Sequence, residues 1–161
     1  MPTYIQSTPL AGANLNTPDA VQRFALGTRL VGSEGTNWLY VQADGAVSAG
    51  DTVAITSAFQ ATRATIALAM AGQMLAFAQV AFADNDFGWV PVSGNPLVVL
   101  VSATSTVNVP LYIGTTSGHL STTGSSATVA GLALMTANTS TAVASFNAIV
   151  SWPRLMTDGK Q

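Results

Sequence analysis

Between residues 87 and 153 the chain runs for 67 residues without an Asp, Glu, Lys or Arg. Charged residues make up 7% of the whole sequence, against about a quarter of an average soluble domain. The same run contains 20 serine and threonine residues, which tolerate water without creating an electrostatic field. Such a segment is poor in the groups that proton transfer, metal binding and phosphate recognition require. It favours β-structure and neutral contact with other protein surfaces.

The bulk composition sets further limits on fold and partners. A chain of 161 residues suits one domain with flanking segments, and the absence of cysteine excludes disulfides and thiolate chemistry. The net charge of −2 comes from seven acidic and five basic residues without a basic patch, so we expect no nucleic-acid partner. The first residues lack signal-peptide features, and the uncharged, alanine-rich window 64–83 is too weakly apolar for a membrane helix. We therefore expect no membrane partner.

The order of turn and strand signals predicts three regions. Residues 1–25 predict an extended N-terminal arm, residues 26–153 a β domain and residues 154–161 a C-terminal tail. Within the domain, turn residues recur about every 8–12 positions, as is typical of all-β proteins. The predicted fold class is all-β: a small β-barrel or β-sandwich of about 8–10 short strands with at most one short helix. The clearest strand patterns cover residues 38–43, 52–56, 75–83, 87–93, 97–101, 110–113, 128–135 and 143–152.

Three details of this prediction depend on short segments. Residues 62–73 are the best helix candidate because Ala, Leu and Met dominate, although an irregular connection fits equally well. Asn95 and Pro96 predict a break between two strands, and Pro153 predicts the end of the last strand. The run 97–101 is apolar at every position, so we expect both of its faces to be covered.

Candidate catalytic and metal-binding residues are few. His119 is the only histidine and follows Gly118 in a predicted hairpin turn, which favours a solvated turn residue over a general base. Asp84 and Asp86 are the one closely spaced pair of carboxylates. A calcium-binding loop of the EF-hand kind needs further ligands that are missing, so a turn stabilised by side chain–backbone hydrogen bonds is the favoured interpretation. We predict no catalytic residue, no metal site and no cofactor, and hence no enzyme.

Aromatic and repeat patterns add no specific site. Trp38, Trp89 and Trp152 lie in strand patterns, where a buried core position is a commoner outcome than a sugar-binding platform. Residues 45–53 and 105–112 each read as a turn that leads into a strand, but their similarity is too weak to establish a duplication.

Several segments are similar to those of small virion proteins of tailed bacteriophages. They are residues 24–28 (FALGT), 35–43 (GTNWLYVQA), 49–53 (AGDTV), 77–90 (FAQVAFADNDFGWV), 111–113 (LYI), 118–120 (GHL) and 129–131 (VAG). Together they extend over residues 24–152 and resemble the capsid decoration, or cement, proteins that stabilise phage heads. The resemblance implies a small β-barrel or β-sandwich, often trimeric, on the outer capsid surface beside the major capsid protein. It implies no functional residue, because this class of protein has no active site.

Composition and resemblance together predict an assembly function. We expect a structural virion protein, assembled in the host cytoplasm, that binds the outer surface of a phage capsid and stabilises the head. Its expected partners are further copies of itself, as a homotrimer, and the major capsid protein. Residues 1–25 are expected to lie on a neighbouring subunit or on the shell. The alternative is a head-fibre, tail or adhesion component that binds a host glycan through an exposed tryptophan.

Overall fold

The computed structural model describes residues 13–32, 34–102, 104–123 and 128–156, which form ten strands and one short helix. In chain order the elements are β1 (Arg29–Val31), β2 (Asn37–Ala43), β3 (Thr52–Ile55), β4 (Gln60–Arg63), α1 (Ile66–Met70), β5 (Met74–Phe77), β6 (Phe87–Ser102), β7 (Tyr112–Ile113), β8 (Leu120–Ser121), β9 (Thr128–Leu134) and β10 (Ala144–Met156). The prediction of an all-β fold with at most one short helix is confirmed. In the described part of the chain, no helix has the length and apolar character needed to cross a membrane.

The second half of the chain forms a closed five-stranded barrel. β6 pairs in parallel with β8 and antiparallel with β10, while β7 pairs antiparallel with β8 and β9. An antiparallel ladder between β9 and β10 completes the ring. Val99, Val101 and Leu120 are fully buried in the apolar cluster of this barrel. Each strand of the ring thus has two neighbours, although β7 and β9 are paired only at Tyr112 and Thr128.

The first half of the chain repeats the pairing scheme around the same long strand. β2 pairs in parallel with β4 and antiparallel with β6, while β3 pairs antiparallel with β4 and β5. Strands β2 to β5 therefore correspond in order and direction to β6 to β9, and the start of β6 corresponds to β10. We call the two halves the first unit (β2–β5 with the start of β6) and the barrel unit (the end of β6 with β7–β10). The 16 residues of β6 serve both units.

Isolated bridges occupy equivalent places in the two units. Val47 bridges Phe82 between the β2–β3 and β5–β6 connections, and Ser105 bridges Asn138 between the β6–β7 and β9–β10 connections. The weak sequence similarity of the two leading connections, which by itself establishes no duplication, thus has a structural basis.

The two units differ in how their walls close. The barrel unit has a backbone ladder between β9 and β10, whereas no ladder joins β5 to β6 among the described residues. The Gln79 side-chain oxygen accepts a hydrogen bond from the Val98 N–H (2.9 Å), and its NH₂ group donates one to the Val98 carbonyl (3.1 Å). Val98 lies in the end of β6, opposite Asn147 of β10. The amide side chain has the donor and acceptor of a backbone peptide, so it links the segment after β5 to the barrel unit as a strand residue would.

Three apolar clusters hold the units together. The largest combines the barrel interior with Leu75 and Phe77 of β5, and the second fills the first unit. The third is aromatic: the rings of Tyr40 and Trp89 lie 5.1 Å apart between centroids, and Phe24 lies 5.3 Å from each. Phe24 and the buried Leu15 place the described part of the predicted arm, residues 13–25, against this cluster. Residues 1–12 lie outside the described residues.

The helix is shorter than the predicted helix over residues 62–73. α1 covers Ile66–Met70 and begins after Thr65, whose hydroxyl accepts a hydrogen bond from the Leu68 N–H. It is followed by Gly72, which has a φ of +78° that suits a helix end. The first two residues of the predicted helix belong to β4, because pairing with β3 outweighs their helix propensity.

Two prolines that predicted strand ends lie at β-bulges instead. The Asn95–Pro96 peptide is cis and falls inside β6, where two residues of β6 lie opposite one residue of β10. Pro153 falls inside β10, where three residues lie opposite one residue of β9. A bulged residue needs no ladder hydrogen bond, so proline is tolerated there and both predicted breaks are wrong. Because β10 continues to Met156, the predicted tail over residues 154–161 begins with three strand residues, and residues 157–161 lie outside the described part.

The apolar run 97–101 is fully covered on one face only. Leu97, Val99 and Val101 are at most 1% exposed, whereas Val98 and Leu100 are half-buried. The two half-buried side chains face away from the barrel core because successive residues of a strand alternate between faces.

Candidate functional site

A buried cluster of ionisable side chains joins the two units. The carboxylate of Asp51 has no solvent exposure, and its Oδ2 lies 3.0 Å from the Nε of Arg63. On the other side, Oδ1 of Asp51 lies 3.9 Å from Nε2 of His119, whose side chain is 14% exposed. His119 is therefore mostly buried beside an acid, and its interpretation as a solvated turn residue is wrong.

Backbone hydrogen bonds bring these three residues together. Asp51 directly precedes β3, and Oδ2 of its side chain accepts a hydrogen bond from the Ser48 N–H at 2.7 Å. The turn before β8 docks on the first unit, since the Thr52 N–H donates to the Gly118 carbonyl and the Gly118 N–H donates to the Ala64 carbonyl. Gly118 has a φ of +82°, and a Cβ on it would lie 2.6 Å from the Asp51 carboxylate. Only glycine lets this turn approach the carboxylate so closely.

Arg63 completes the junction from the end of β4. Its Nη2 donates a hydrogen bond of 2.7 Å to the carbonyl of Ser117, and its side chain is 37% exposed. The guanidinium thus compensates the Asp51 charge and at the same time holds the turn that carries His119. A buried carboxylate without such a cation would be strongly destabilising.

The cluster is arranged as a structural connection. A nucleophilic triad needs a hydroxyl or thiol in hydrogen-bond reach of the imidazole, and within the described ranges no such group hydrogen-bonds His119. Nδ1 of His119 and Oδ1 of Asp51 also have no hydrogen-bond partner there. What the geometry provides is charge compensation at the junction of the two units.

Asp84 and Asp86 form the predicted turn. Asp86 Oδ2 accepts a hydrogen bond from the Ala83 N–H (2.8 Å), and Asp84 Oδ1 accepts one from the Gly45 N–H (2.8 Å). Asn85 between them has a φ of +66°, which is common for Asn in turns. In the part of the chain that the structure describes, no group of three or more His, Cys, Asp or Glu residues could hold a metal ion. Both carboxylates therefore stabilise backbone, as the turn interpretation predicted.

The three tryptophans have two different environments. Trp38 and Trp89 are buried, at 6% and 2% exposure, as predicted for core aromatics. Trp152 is 45% exposed, lies in the β10 bulge with a φ of +47°, and has the Arg29 guanidinium 5.5 Å above its ring. Val31, two residues after Arg29 on the same exposed face of β1, is 60% exposed. We call these three exposed residues, Arg29, Val31 and Trp152, the Trp152 patch.

Comparison with protein-family models and with curated proteins found no match to this chain.

Proposed function

We propose that this protein is a capsid decoration protein, a structural virion component that binds the outer surface of a phage head and stabilises it. It would act as a homo-oligomer, with further copies of itself and the major capsid protein as its partners. The observation that carries the proposal is the Trp152 patch, in which the exposed Trp152 of the β10 bulge lies beside the exposed Arg29 of β1. The proposal also rests on the sequence resemblance to decoration proteins.

Charge is distributed unevenly between the two units. The barrel unit has no Asp, Glu, Lys or Arg before Arg154, near the end of β10. A surface of this kind can meet a symmetry-related copy of itself without like-charge repulsion, which is the requirement of a cyclic homo-oligomer. The charged residues of the first unit are in part used internally, as in the Asp51 cluster.

The bulge fixes the position of Trp152. Opposite it on β9 lies Gly131, with a φ of +78°, and the Ser151 carbonyl approaches so closely that a Cβ on this glycine would overlap it. A positive φ at a tryptophan is costly and persists only where surrounding pairing enforces it. Tryptophan and arginine are the residue types most enriched at binding hot spots, and a fixed side chain loses little entropy on binding.

A glycan-binding adhesion component is the less favoured alternative. Trp38 and Trp89 are buried and unavailable for stacking on a sugar, so this reading depends on Trp152. The Arg29 guanidinium already lies above the Trp152 ring. A covered ring face suits contact with another protein better than stacking on a pyranose.

Binding to undecorated heads tests the proposal. Trp152→Ala should lower the affinity for purified heads that lack this protein by about 30-fold, as measured by co-sedimentation. This is the effect of losing a binding hot spot of about 2 kcal/mol. Val143→Ala is the matched control, because Val143 is 47% exposed but lies outside the patch. Its affinity should stay within about twofold of the parent protein.

The free protein should be an oligomer by mass photometry and light scattering. Equal head binding by Trp152→Ala and the parent protein would refute the role of the patch. A monomer that does not bind heads would refute the decoration function. Glycan binding that is lost in Trp152→Ala would then favour the adhesion alternative.

A further inference from the structure

A cavity of about 460 Å³ opens at one end of the closed barrel. Its walls come from the β6–β7 connection, from Tyr112 of β7, from Thr122 after β8 and from the β9–β10 connection. It therefore lies at the barrel mouth, a common position for small-molecule sites, and its volume falls within the range of roughly 300–1,000 Å³ for such pockets. We call it the mouth cavity.

The equivalent place in the first unit is filled. There the Val47–Phe82 bridge is apolar, and Phe82, only 4% exposed, packs with Val41, Val53 and Val90. The space between these side chains does not admit a water molecule. In the barrel unit the equivalent bridge is made by Ser105 and Asn138, so two polar residues occupy the positions of an aliphatic and an aromatic residue in the first unit.

The polar groups of the mouth cavity are held in place before any ligand arrives. Asn138 is 2% exposed; its Nδ2 donates to the Ala142 carbonyl and its Oδ1 accepts from the Ser140 N–H. Ser105 is 5% exposed, and its hydroxyl is buried without a hydrogen-bond partner among the described residues. Ser105 and Asn138 thus place two buried polar side chains in the wall of the mouth cavity.

We propose that the mouth cavity binds a neutral saccharide. The rim has the hydroxyls of Thr104, Thr106 and Thr139, while Pro110 and the Tyr112 ring give it an apolar side. A sugar ring presents the same combination, with hydroxyl groups at its edge and C–H groups on its faces. Hydroxyl side chains can both donate and accept, which matches the mixed requirements of sugar hydroxyls.

The lining excludes the other common ligand classes. Among the described residues no Asp, Glu, Lys, Arg or His lines the mouth cavity, so a phosphate, carboxylate or ammonium ligand would be desolvated there without a counter-ion. A purely apolar ligand would leave the cavity hydroxyls without hydrogen-bond partners, which is unfavourable for each buried group. An uncharged, hydroxyl-rich molecule avoids both penalties.

Saturation-transfer NMR and calorimetry with single sugars test the proposal on the full chain. The probes are glucose, galactose, mannose and N-acetylglucosamine, with N-acetylneuraminic acid as the charged comparison. We expect saturation transfer to at least one neutral sugar and at least tenfold weaker binding of the charged sugar. Absence of binding by all four neutral sugars would overturn the proposal, and so would a preference for the charged sugar.

Variants locate the bound sugar. Thr106→Trp and Thr139→Trp fill the cavity from its two opposite connections, and each should weaken sugar binding by at least tenfold. Thr116→Trp is the matched control, because Thr116 is exposed and does not line the cavity. Tyr112→Phe keeps the ring and removes one hydroxyl, so we expect a loss of about three- to tenfold.

If a tryptophan variant does not fold, other cavity variants still test the site. Circular dichroism and thermal unfolding establish which variants are native, and the shape-preserving Tyr112→Phe variant can then be combined with Thr139→Val. Unchanged sugar affinity in every folded cavity variant would overturn the site. Head binding should be the same in all of them, since the mouth cavity does not include the Trp152 patch, so this inference and the decoration function fail independently.

Discussion

Replacing Arg63 by methionine measures what the buried cluster contributes to stability. Methionine keeps much of the apolar stem but removes the guanidinium, which lies 3.0 Å from the unexposed carboxylate of Asp51. The carboxylate would then retain the Ser48 N–H and an imidazole 3.9 Å away. Removing one partner of a buried pair costs about 3–5 kcal/mol. Because the Arg63 side chain is 37% exposed, we expect a loss near the lower end, about 3 kcal/mol.

Asp51→Asn creates the opposite imbalance and should cost less. The side-chain oxygen of Asn can still accept the hydrogen bond from Ser48, and the remaining guanidinium is partly exposed, so water can hydrate it. We expect a loss of about 2 kcal/mol, within the range for a hydrogen bond that involves a charged group. Both substitutions remove the same ion pair, so the free-energy loss of the double variant should fall about 1–2 kcal/mol short of the sum.

Urea denaturation followed by tryptophan fluorescence gives these free energies of unfolding, provided that the m-values agree among the variants. Arg23→Met is the matched control, because the Arg23–Asp19 pair spans 3.5 Å with side chains 61% and 39% exposed. An exposed pair of this kind contributes at most about 1 kcal/mol. Equal losses for Arg63→Met and Arg23→Met, or strict additivity in the double variant, would show that the cluster does not stabilise the junction.

Three further substitutions test the fold by the same denaturation assay. Phe82→Ala removes an aromatic ring that is 96% buried and should lower the free energy of unfolding by about 3–5 kcal/mol. A loss below about 1 kcal/mol would contradict its place in the apolar core of the first unit. Gly131→Ala should lower the free energy of unfolding clearly more than Gly35→Ala. Both glycines have a positive φ, but of the two only Gly131 lacks space for a Cβ. Equal losses would contradict the close approach of β9 and β10. Gln79→Ala removes two hydrogen bonds to Val98 and should lower the free energy of unfolding by about 1–3 kcal/mol, with faster amide exchange at Val98. Unchanged exchange would show that the side chain does not link the segment after β5 to β6.

The buried cluster shows where prediction from the sequence ends. Asp51 and His119 are far apart in the chain and meet only because the turn around Gly118 docks on the first unit. The local signals, a glycine before each of the two residues, are common to many turns. Burial of His119 depends on long-range packing, which local patterns do not contain.

The sequence correctly predicted several strands but placed false strand ends at two prolines. Aromatic and β-branched residues correctly indicated β2, and alternation correctly indicated β3, although all four residues of β3 are buried and not half of them. Pro96 and Pro153 indicated breaks that do not exist. Proline removes a backbone donor, and this ends a strand only where the partner strand needs that donor. Whether the partner has a bulge at that level is a property of the pairing, so β6 and β10 read as shorter strands than they are.

The two units differ both in the side chains at their bridges and in their backbone pairing. In the first unit no ladder joins β5 to β6 among the described residues, and the bridge residue Phe82 packs with Val41, Val53 and Val90. In the barrel unit the β9–β10 ladder holds the ring through backbone hydrogen bonds. There the bridge position could change to Ser105 and Asn138 without loss of the ring, because backbone pairing does not depend on the side chains that fill the mouth. The polar mouth cavity is thus located in the unit whose wall tolerates it, and filling that cavity should alter ligand binding much more than it alters stability.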